Sequence, residues 1–281
     1  MSTAVQTAPR TVKLWFCPDD ELAPGTAATL AAHWLDENER EIAGQFLFER
    51  DRRQYLVSHV LVRRVLALEC GIAESESVIW RSSRGRPFLQ KPAGGLPRGG
   101  AELDFNLSHA GGHNLLGLVR HNRIGVDVER LDRGRQGLAT IVETFAPEER
   151  RWVAQAPPGP ARDVRTLRLW TLKEAYSKAR GLGLGLSFDT FSFELAEERG
   201  VLGFRPPDDD VARRWRFLEL EPVPGVLAAV AVMADAGEEA TLELHHGFPW
   251  ARSAPTVLPV PGVARAVRRG DGTEAMATAA R

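Results

Sequence analysis

A short segment in which β-branched residues alternate with glycine and acidic residues, Ile124 to Glu129, constrains the fold most. Successive side chains of an extended strand point to opposite faces, so the isoleucine and the two valines share one face. Gly125, Asp127 and Glu129 share the other. The segment therefore predicts a strand with one face for an apolar core and one face that carries two neighbouring carboxylates.

Two carboxylates this close repel each other and raise each other's pKa unless a cation lies between them. A hard ion such as Mg²⁺ takes oxygen ligands from a few carboxylates and completes its shell with water and phosphate. Gly125 would leave room for a ligand to approach the backbone. The alternative interpretation is a half-buried strand whose outer face is acidic and solvated.

A helix is predicted from Trp170 to the residue before Gly181, which is a natural C-terminal stop. Trp170, Glu174 and Lys178 are spaced four residues apart and therefore lie on one face, with Lys173 beside Glu174. A third carboxylate with neighbouring ammonium groups suits a metal-bridged diphosphate. The alternative is a surface ion pair, which contributes only a few tenths of a kcal/mol.

The composition is that of an ordinary globular protein, with 43% hydrophobic residues. Its 36 basic and 37 acidic residues give a net charge of -1, which argues against a general nucleic-acid binder. Cys17 and Cys70 have no metal or disulfide spacing, so a reducing compartment is expected. The longest apolar run, Val226 to Ala234, is too short to span a bilayer and indicates a buried strand. We therefore expect a soluble, cytoplasmic protein without membrane or nucleic-acid partners.

Helical and strand-like segments are mixed along the chain without a steady βαβ alternation, which favours an α+β fold. A helix is predicted over residues 36–71, and strand-like segments lie near residues 78–80, 103–107 and 115–119. From residue 253 to residue 281 the chain consists largely of Ala, Pro, Gly, Thr and Arg without periodicity. We expect that segment to be a flexible tail, because its composition cannot offset the entropy of ordering.

Three further segments carry weaker signals. Ser108 and His109 stand where a strand opens into a loop, which is a good place for a hydroxyl and an imidazole to meet phosphate. Gly85 to Phe88 is a turn with a basic side chain. Glu149 lies in the first turn of a predicted helix. A favourable interaction with the helix dipole accounts for an acidic residue there without any catalytic role. Alone, a Ser-His pair at a strand end is usually structural and Gly85 to Phe88 is only a turn, whereas Glu149 is equally consistent with a functional and a structural role.

Taken together and in order, these segments resemble the surfactin-type 4′-phosphopantetheinyl transferases. The resemblance covers about residues 11–245 and uses five ordered motifs. They are Gly85-Arg86-Pro87, Phe105 to His109, Gly125 to Glu129, Phe145 with Glu149, and Trp170 to Lys178, and Leu182 to Phe188 continues the last of them.

The resemblance implies an enzyme that transfers the 4′-phosphopantetheine arm of coenzyme A to a serine hydroxyl of an apo carrier protein. The carrier would be an acyl, polyketide or nonribosomal-peptide carrier, the reaction would require Mg²⁺, and adenosine 3′,5′-bisphosphate would be released. The implied fold is α+β, with two similar subdomains related by a pseudo-twofold axis over residues 11–122 and 123–245. A monomer is expected.

The resemblance also implies the site residues. Mg²⁺ would be held by Asp127, Glu129 and Glu174. Coenzyme A would be bound by Arg53, Gly85, Arg86, Pro87, Ser108, His109 and Lys178, with the glycine, arginine and proline of the turn at the adenine and the histidine at the 3′-phosphate. The catalytic residues would be Glu149, Lys173 and Lys178. Glu149 would position or deprotonate Lys173 or the incoming serine, and the general base stays open between Glu149 and a bound water.

The sequence departs from the family pattern on the 3′-phosphate side. Gln54 stands where many relatives carry an arginine, and the adjacent Arg53 could substitute for it. Glu39 and Ile42 replace basic positions of some relatives, with Arg40 nearby. The alternatives to a transferase are a coenzyme A-binding protein without catalysis, another Mg²⁺-dependent phosphotransferase or nuclease, and an interaction module.

Overall fold

The structure is a computed structural model that describes residues 10–90, 103–132, 137–234, 239–250, 254–262 and 265–266. Residues 91–100, a stretch rich in glycine and proline that indicates a loop, lie outside this range. In the described ranges, no helix combines the length and the apolar character that a membrane crossing requires.

The first half of the chain alternates strands with a group of helices. Its strands are β1 (Arg10–Pro18), β2 (Ile79–Arg81), β3 (Pro87–Leu89), β4 (Leu103–Ala110) and β5 (His113–Arg120). Its helices are α1 (Pro24–Trp34), α2 (Glu37–Gly44) and α3 (Glu49–Cys70).

The second half begins with a strand, continues with helices and then returns to strands. Its strands are β6 (Ile124–Arg130), β7 (Ser192–Leu195), β8 (Val201–Arg205), β9 (Trp215–Leu220), β10 (Val226–Met233), β11 (Ala240–His246), β12 (Thr256–Val260) and β13 (Arg265–Ala266). Its helices are α4 (Leu138–Glu143), α5 (Pro147–Gln155) and α6 (Pro160–Arg180).

The two halves share a plan in which one long helix packs on antiparallel strands. Helix α3 packs against β4 and β5, and α6 packs against β6 and β10. In the first half, Trp15 of β1 and Leu61 of α3 belong to the same buried core. In the second, Tyr176 of α6 makes ring contacts of 5.0 Å between centroids with both Phe204 and Trp215. The predicted α+β class is confirmed.

The long helix predicted over residues 36–71 is two helices. Asp36 caps α2 by accepting a hydrogen bond from the backbone N–H of Glu39, and the chain leaves the helix after Gly44. Helix α3 begins at Glu49 and ends at Gly71, whose φ of 71° is in the left-handed region that glycine tolerates. Apolar spacing predicted the helical content, but the break between the two helices carries no proline to mark it.

Strands β11 and β12 do not stay with the second half, whereas β13 pairs with β8. Strand β11 lies parallel to β1 in the five-stranded sheet β12-β11-β1-β5-β4, with Val12 opposite Leu242. Strand β12 pairs antiparallel with β11 and buries Val260 in the core between the halves. The expectation of a flexible tail from residue 253 is therefore wrong for Thr256–Val260, because this segment has a sheet edge to pair with. The predicted boundary at residue 245 falls within β11.

Candidate active site

Strand β6 separates the core from the candidate site. Ile124, Val126 and Val128 are buried against the five-stranded sheet. Asp127 and Glu129, on the other face, lie beside α6. The alternation in the sequence thus predicted both faces of this strand correctly.

Gly125 explains how closely α6 approaches β6. A Cβ atom added to Gly125 would lie 1.9 Å from the carbonyl oxygen of Ala175 and 2.4 Å from the nitrogen of Ala179. The interpretation that Gly125 leaves room for a ligand is wrong, because the backbone of α6 occupies that space. The close contact instead brings the polar face of α6 over the carboxylates of β6.

Asp127 is the centre of the polar cluster. Its Oδ1 accepts hydrogen bonds from Ser108 Oγ at 2.8 Å and from Lys178 Nζ at 2.6 Å. Lys178 Nζ also donates to Ser108 Oγ at 3.0 Å. The other carboxylate oxygen of Asp127, Oδ2, is buried without a hydrogen-bond partner. A buried carboxylate oxygen without a donor is costly, so it indicates a missing cation or water.

The other two predicted metal ligands lie in the same region. Trp170 Nε1 donates to Glu129 Oε1 at 3.0 Å. Burial raises the pKa of Glu174 to about 7, the ammonium of Lys178 opposes this, and the charges of Asp127 and Glu129 raise it further. Glu174 therefore lies close enough to Asp127 and Glu129 for their charges to act on its carboxyl group.

No group of three His, Cys, Asp or Glu side chains in the described part of the chain has the arrangement of a preformed metal centre. The donor set nevertheless suits a hard divalent ion, since it consists of carboxylate oxygens. The partnerless Oδ2 of Asp127 supplies one open ligand position. Burial is the main cause of the raised pKa of Glu174, and a bound cation would lower this pKa. The residues are therefore chemically suited to Mg²⁺. Their carboxylate groups would need to come closer together to bind the ion.

A cleft of about 310 Å³ opens beside this cluster. Its walls include Lys178, His109 and the turn Gly85–Pro87, which are among the residues that the resemblance assigns to coenzyme A binding. Partial burial, followed by the charge of Lys178, lowers the pKa of His109. A second cavity of about 650 Å³ is lined by residues that include His109, Glu129 and Arg130. His109 thus borders both spaces.

Three basic residues of the cleft were missed by the sequence analysis, namely His59, Arg81 and Arg84. The two arginines lie within four residues of Gly85, so their proximity to a predicted site residue was an available signal. His59 gave no comparable signal, because it is one of several polar residues on a long helix. Burial lowers the pKa of His59 to about 4, with the charge of Arg81 adding to the effect.

The charged group of Arg86 forms structural contacts inside the protein. Its guanidinium is buried and donates to Asp104 Oδ2 at 2.6 Å and to the carbonyl of Ile124 at 2.8 Å. It also donates to the carbonyl of Lys178. Arg86 lines the cleft, but its charged group fastens the first half to β6 and α6.

Arg53 is not brought to the cleft. Its Nη2 donates to the carbonyls of Asp19 and Leu22, each at 3.1 Å. On the α2 side of the cleft, Glu39 forms a buried ion pair with Arg63 at 2.5 Å. The suggestion that Arg53 replaces the arginine lost at Gln54 is therefore not supported by its position.

Glu149 and Lys173 form an ion pair of 2.7 Å in which both side chains are fully buried. Glu149 also accepts the N–H groups of Ala146 and Phe193. Lys173 donates to two backbone carbonyls at 2.7 and 2.8 Å, and its Nζ lies 4.1 Å from the ring centroid of Phe191. These bonds leave neither charged group a route to a substrate, so the predicted direct roles of Glu149 and Lys173 conflict with their placement.

Comparison with known proteins agrees with this geometry. Residues 123–231 match the family model of the 4′-phosphopantetheinyl transferase superfamily, and residues 24–117 match that of the 4′-phosphopantetheinyl transferase N-terminal region. A phosphopantetheinyl transferase of Thraustochytrium sp. is 33% identical over 221 residues, covering 74% of this chain and 73% of the relative.

Two further relatives are similar over much of their length. The 4′-phosphopantetheinyl transferase HetI of Nostoc sp. is 29% identical, over 79% of this chain and 87% of the relative. The L-aminoadipate-semialdehyde dehydrogenase-phosphopantetheinyl transferase of Xenopus laevis is 28% identical, over 68% of this chain and 66% of the relative. With this shared sequence on both halves, the chain is a transferase that belongs to the 4′-phosphopantetheinyl transferase superfamily.

Proposed function

We propose that this chain is a surfactin-type member that transfers 4′-phosphopantetheine from coenzyme A to a serine of an apo acyl or peptidyl carrier protein, acting as a monomer. The observation that carries the proposal is the cluster of Asp127, Ser108 and Lys178, with its partnerless carboxylate oxygen, between a basic cleft and a second cavity. A diphosphate placed there would meet both metal-binding oxygens and the ammonium group of Lys178.

Asp127, Glu129 and Glu174 would hold Mg²⁺. The bound ion would neutralise the diphosphate and polarise its phosphoryl oxygens. Glu174 must lose its proton to act as a ligand, and a cation favours that ionisation. Trp170 would hold Glu129 in place through its Nε1–H bond.

The cations of the chain supply the remaining phosphate contacts in the proposal. Lys178 Nζ is partly exposed, so it can reach a phosphate oxygen while it remains near Asp127. His109 would bind the 3′-phosphate, as the resemblance implies. Arg81 and Arg84 extend the positive charge along the cleft and suit the phosphorylated ribose of the nucleotide. The pantetheine arm would leave through the second cavity.

In the reaction, the serine oxygen of the carrier forms a bond to the β-phosphorus in line with the leaving group. The bond from that phosphorus to the bridging oxygen breaks, and adenosine 3′,5′-bisphosphate departs with the negative charge. Lys178 stabilises the developing charge, and the two cavities position the reactants. The serine proton passes to a base, for which a bound water fits better than Glu149, because Glu149 is enclosed.

The proposal is tested by incubating a panel of apo fatty-acid, polyketide and nonribosomal-peptide carriers with coenzyme A and Mg²⁺ and measuring their intact masses. We expect one phosphopantetheine addition on at least one carrier. Asp127→Ala should lower the rate by at least about 100-fold even in saturating Mg²⁺, because the metal site loses its central oxygen. Full labelling by Asp127→Ala would contradict the assigned site.

The same panel separates the alternatives. A coenzyme A-binding protein without catalysis would show thermal stabilisation by coenzyme A and no mass change on any carrier. Another Mg²⁺-dependent phosphotransferase would label no carrier and would show no preference for coenzyme A over other phosphorylated nucleotides in the same thermal-shift measurement.

A further inference from the structure

Strands β4 and β6 run side by side at the junction between the two halves, yet they belong to different sheets. Strand β4 pairs with β5, and β6 pairs with β10. Across the described residues, no backbone hydrogen bond joins β4 to β6. Something other than a β-ladder must therefore set the position of β6 relative to β4.

Alternate side chains of β4 make this connection. Asp104 Oδ2 accepts the N–H of Ile124 at 2.8 Å, and Asn106 Oδ1 accepts the N–H of Val126 at 2.9 Å. Ser108 continues the row, although its Oγ donates to the side chain of Asp127 rather than accepting from the backbone. We call Asp104, Asn106 and Ser108 the side-chain seam. Its spacing of two residues matches the spacing of the outward N–H groups on the edge of β6.

We propose that Asn106 is a positioning residue for the metal-binding carboxylate of Asp127, an inference that rests on the proposed function. Asn106 is buried and fixes the N–H of Val126, the residue directly before Asp127. The first connection of the seam is reinforced by Arg86, which binds both Asp104 and the carbonyl of Ile124. Two residues of the seam bind backbone N–H groups of β6, and of these Asn106 lies closer to Asp127.

The side-chain seam also sets the separation of β4 and β6. A side-chain amide between two strands holds their backbones farther apart than a direct β-ladder does. Asn106 lines the cleft beside the site. One residue thus keeps the two strands apart and holds β6 in register, so that Asp127 reaches both Ser108 and Lys178. A displacement of about 1 Å at such a site is enough to weaken it severely.

The test measures Mn²⁺ binding to the full chain without coenzyme A, by electron paramagnetic resonance. Asn106→Leu has a similar volume but no acceptor, and we expect it to raise the Mn²⁺ dissociation constant about 10-fold. The control is Leu116→Ala on β5, which opens a cavity in the first-half core. Leu116 lies opposite Leu107 in the β4–β5 ladder rather than opposite a seam residue. It should lower Tm while changing the dissociation constant by less than about twofold. Equal effects of the two variants on Mn²⁺ binding would overturn the proposal.

Asn106→Asp serves as the rescue variant. It keeps an oxygen acceptor for Val126 N–H, so the Mn²⁺ dissociation constant should stay within about threefold of wild type. KM for coenzyme A should rise, because a carboxylate would face the phosphates. If Asn106→Asp binds Mn²⁺ as weakly as Asn106→Leu, the acceptor is not what matters and the proposal fails. A wild-type chain that binds Mn²⁺ but labels no carrier contradicts the proposed function alone, and one that binds no Mn²⁺ contradicts both.

Discussion

At the scale of single residues, the site is built from charges that are costly to keep together without a cation. Asp127 is buried with one oxygen bonded and the other unsatisfied. Glu174 is partly buried near two other carboxylates, and the charge of Lys178 opposes their effect on its pKa. Such an arrangement lowers the stability of the folded chain and prepares it for a ligand of opposite charge.

Glu174 should therefore destabilise the metal-free protein at alkaline pH. Its folded-state pKa of about 7 is above the ordinary value of 4.5, so the folded chain binds this proton more tightly than the unfolded chain does. The resulting stability is complete below about pH 4.5 and is lost as the pH rises through about 7. Glu174→Gln should raise the free energy of unfolding by about 1–3 kcal/mol at pH 8 relative to its effect at pH 5.

The measurement is urea unfolding in EDTA at both pH values. An equal effect of Glu174→Gln at pH 5 and pH 8 would show that Glu174 keeps an ordinary pKa. Carrier labelling by this variant should fall at the same time, because the amide is a weaker ligand for Mg²⁺ than a carboxylate is.

At the scale of elements, the decisive contact is that of α6 with β6. Gly125 lets the helix backbone touch the strand, and Arg86 fastens the C-terminal end of α6 to β6. The buried pair of Glu149 and Lys173 ties α6 to α5 in the same way. Helix α6 is thereby attached to both β6 and α5, and its polar face stays over the carboxylates of β6.

Gly125→Ala should separate the two elements. The added methyl group would meet backbone atoms of α6 at 1.9 and 2.4 Å, which cannot move as a side chain can. We expect a loss of at least about 2 kcal/mol in the free energy of unfolding and a large loss of carrier labelling.

Gly44→Ala on α2 is the matched control, because an added Cβ there has no neighbour within 4 Å. It should stay within about 1 kcal/mol of wild type or gain stability, since alanine favours a helix. Both variants are compared by thermal and urea unfolding. Similar unfolding curves for the two variants would contradict the close packing of α6 on β6.

At the scale of the whole molecule, the two halves are not independent. Two strands from the C-terminal part of the chain return to the first-half sheet, where β11 lies parallel to β1 and β12 forms the edge. The core between the halves contains residues of β1, β6 and β12 together. We therefore expect the halves to unfold as one cooperative unit.

Strand β12 offers a direct test of this connection. Val260 is buried and Val257 is 62% exposed, although both lie on the same short strand. Val260→Asp should cost about 3 kcal/mol or more, because it buries an unpaired charge, and Val257→Asp should cost less than about 0.5 kcal/mol. Urea unfolding distinguishes the two. A negligible effect of both substitutions would favour the flexible tail that composition predicted.

The sequence by itself determined the local geometry and the chemical class of this protein. Alternation in β6 placed Asp127 and Glu129 on one face, and four-residue spacing in α6 aligned Glu174 with Lys178. These are properties of a strand and a helix, which depend only on neighbouring residues. The ordered motifs then predicted the superfamily, which the relatives confirm.

Only the tertiary structure decided what each polar group faces. It enclosed Lys173 with Glu149, turned Arg86 into a connection between the halves, and brought Arg81 and Arg84 to the cleft. It also showed that Gly125 serves a helix rather than a ligand, and that residues 256–260 form a strand. These outcomes depend on contacts between segments far apart in the chain, and the burial and pairing of a charge follow from such contacts rather than from local spacing.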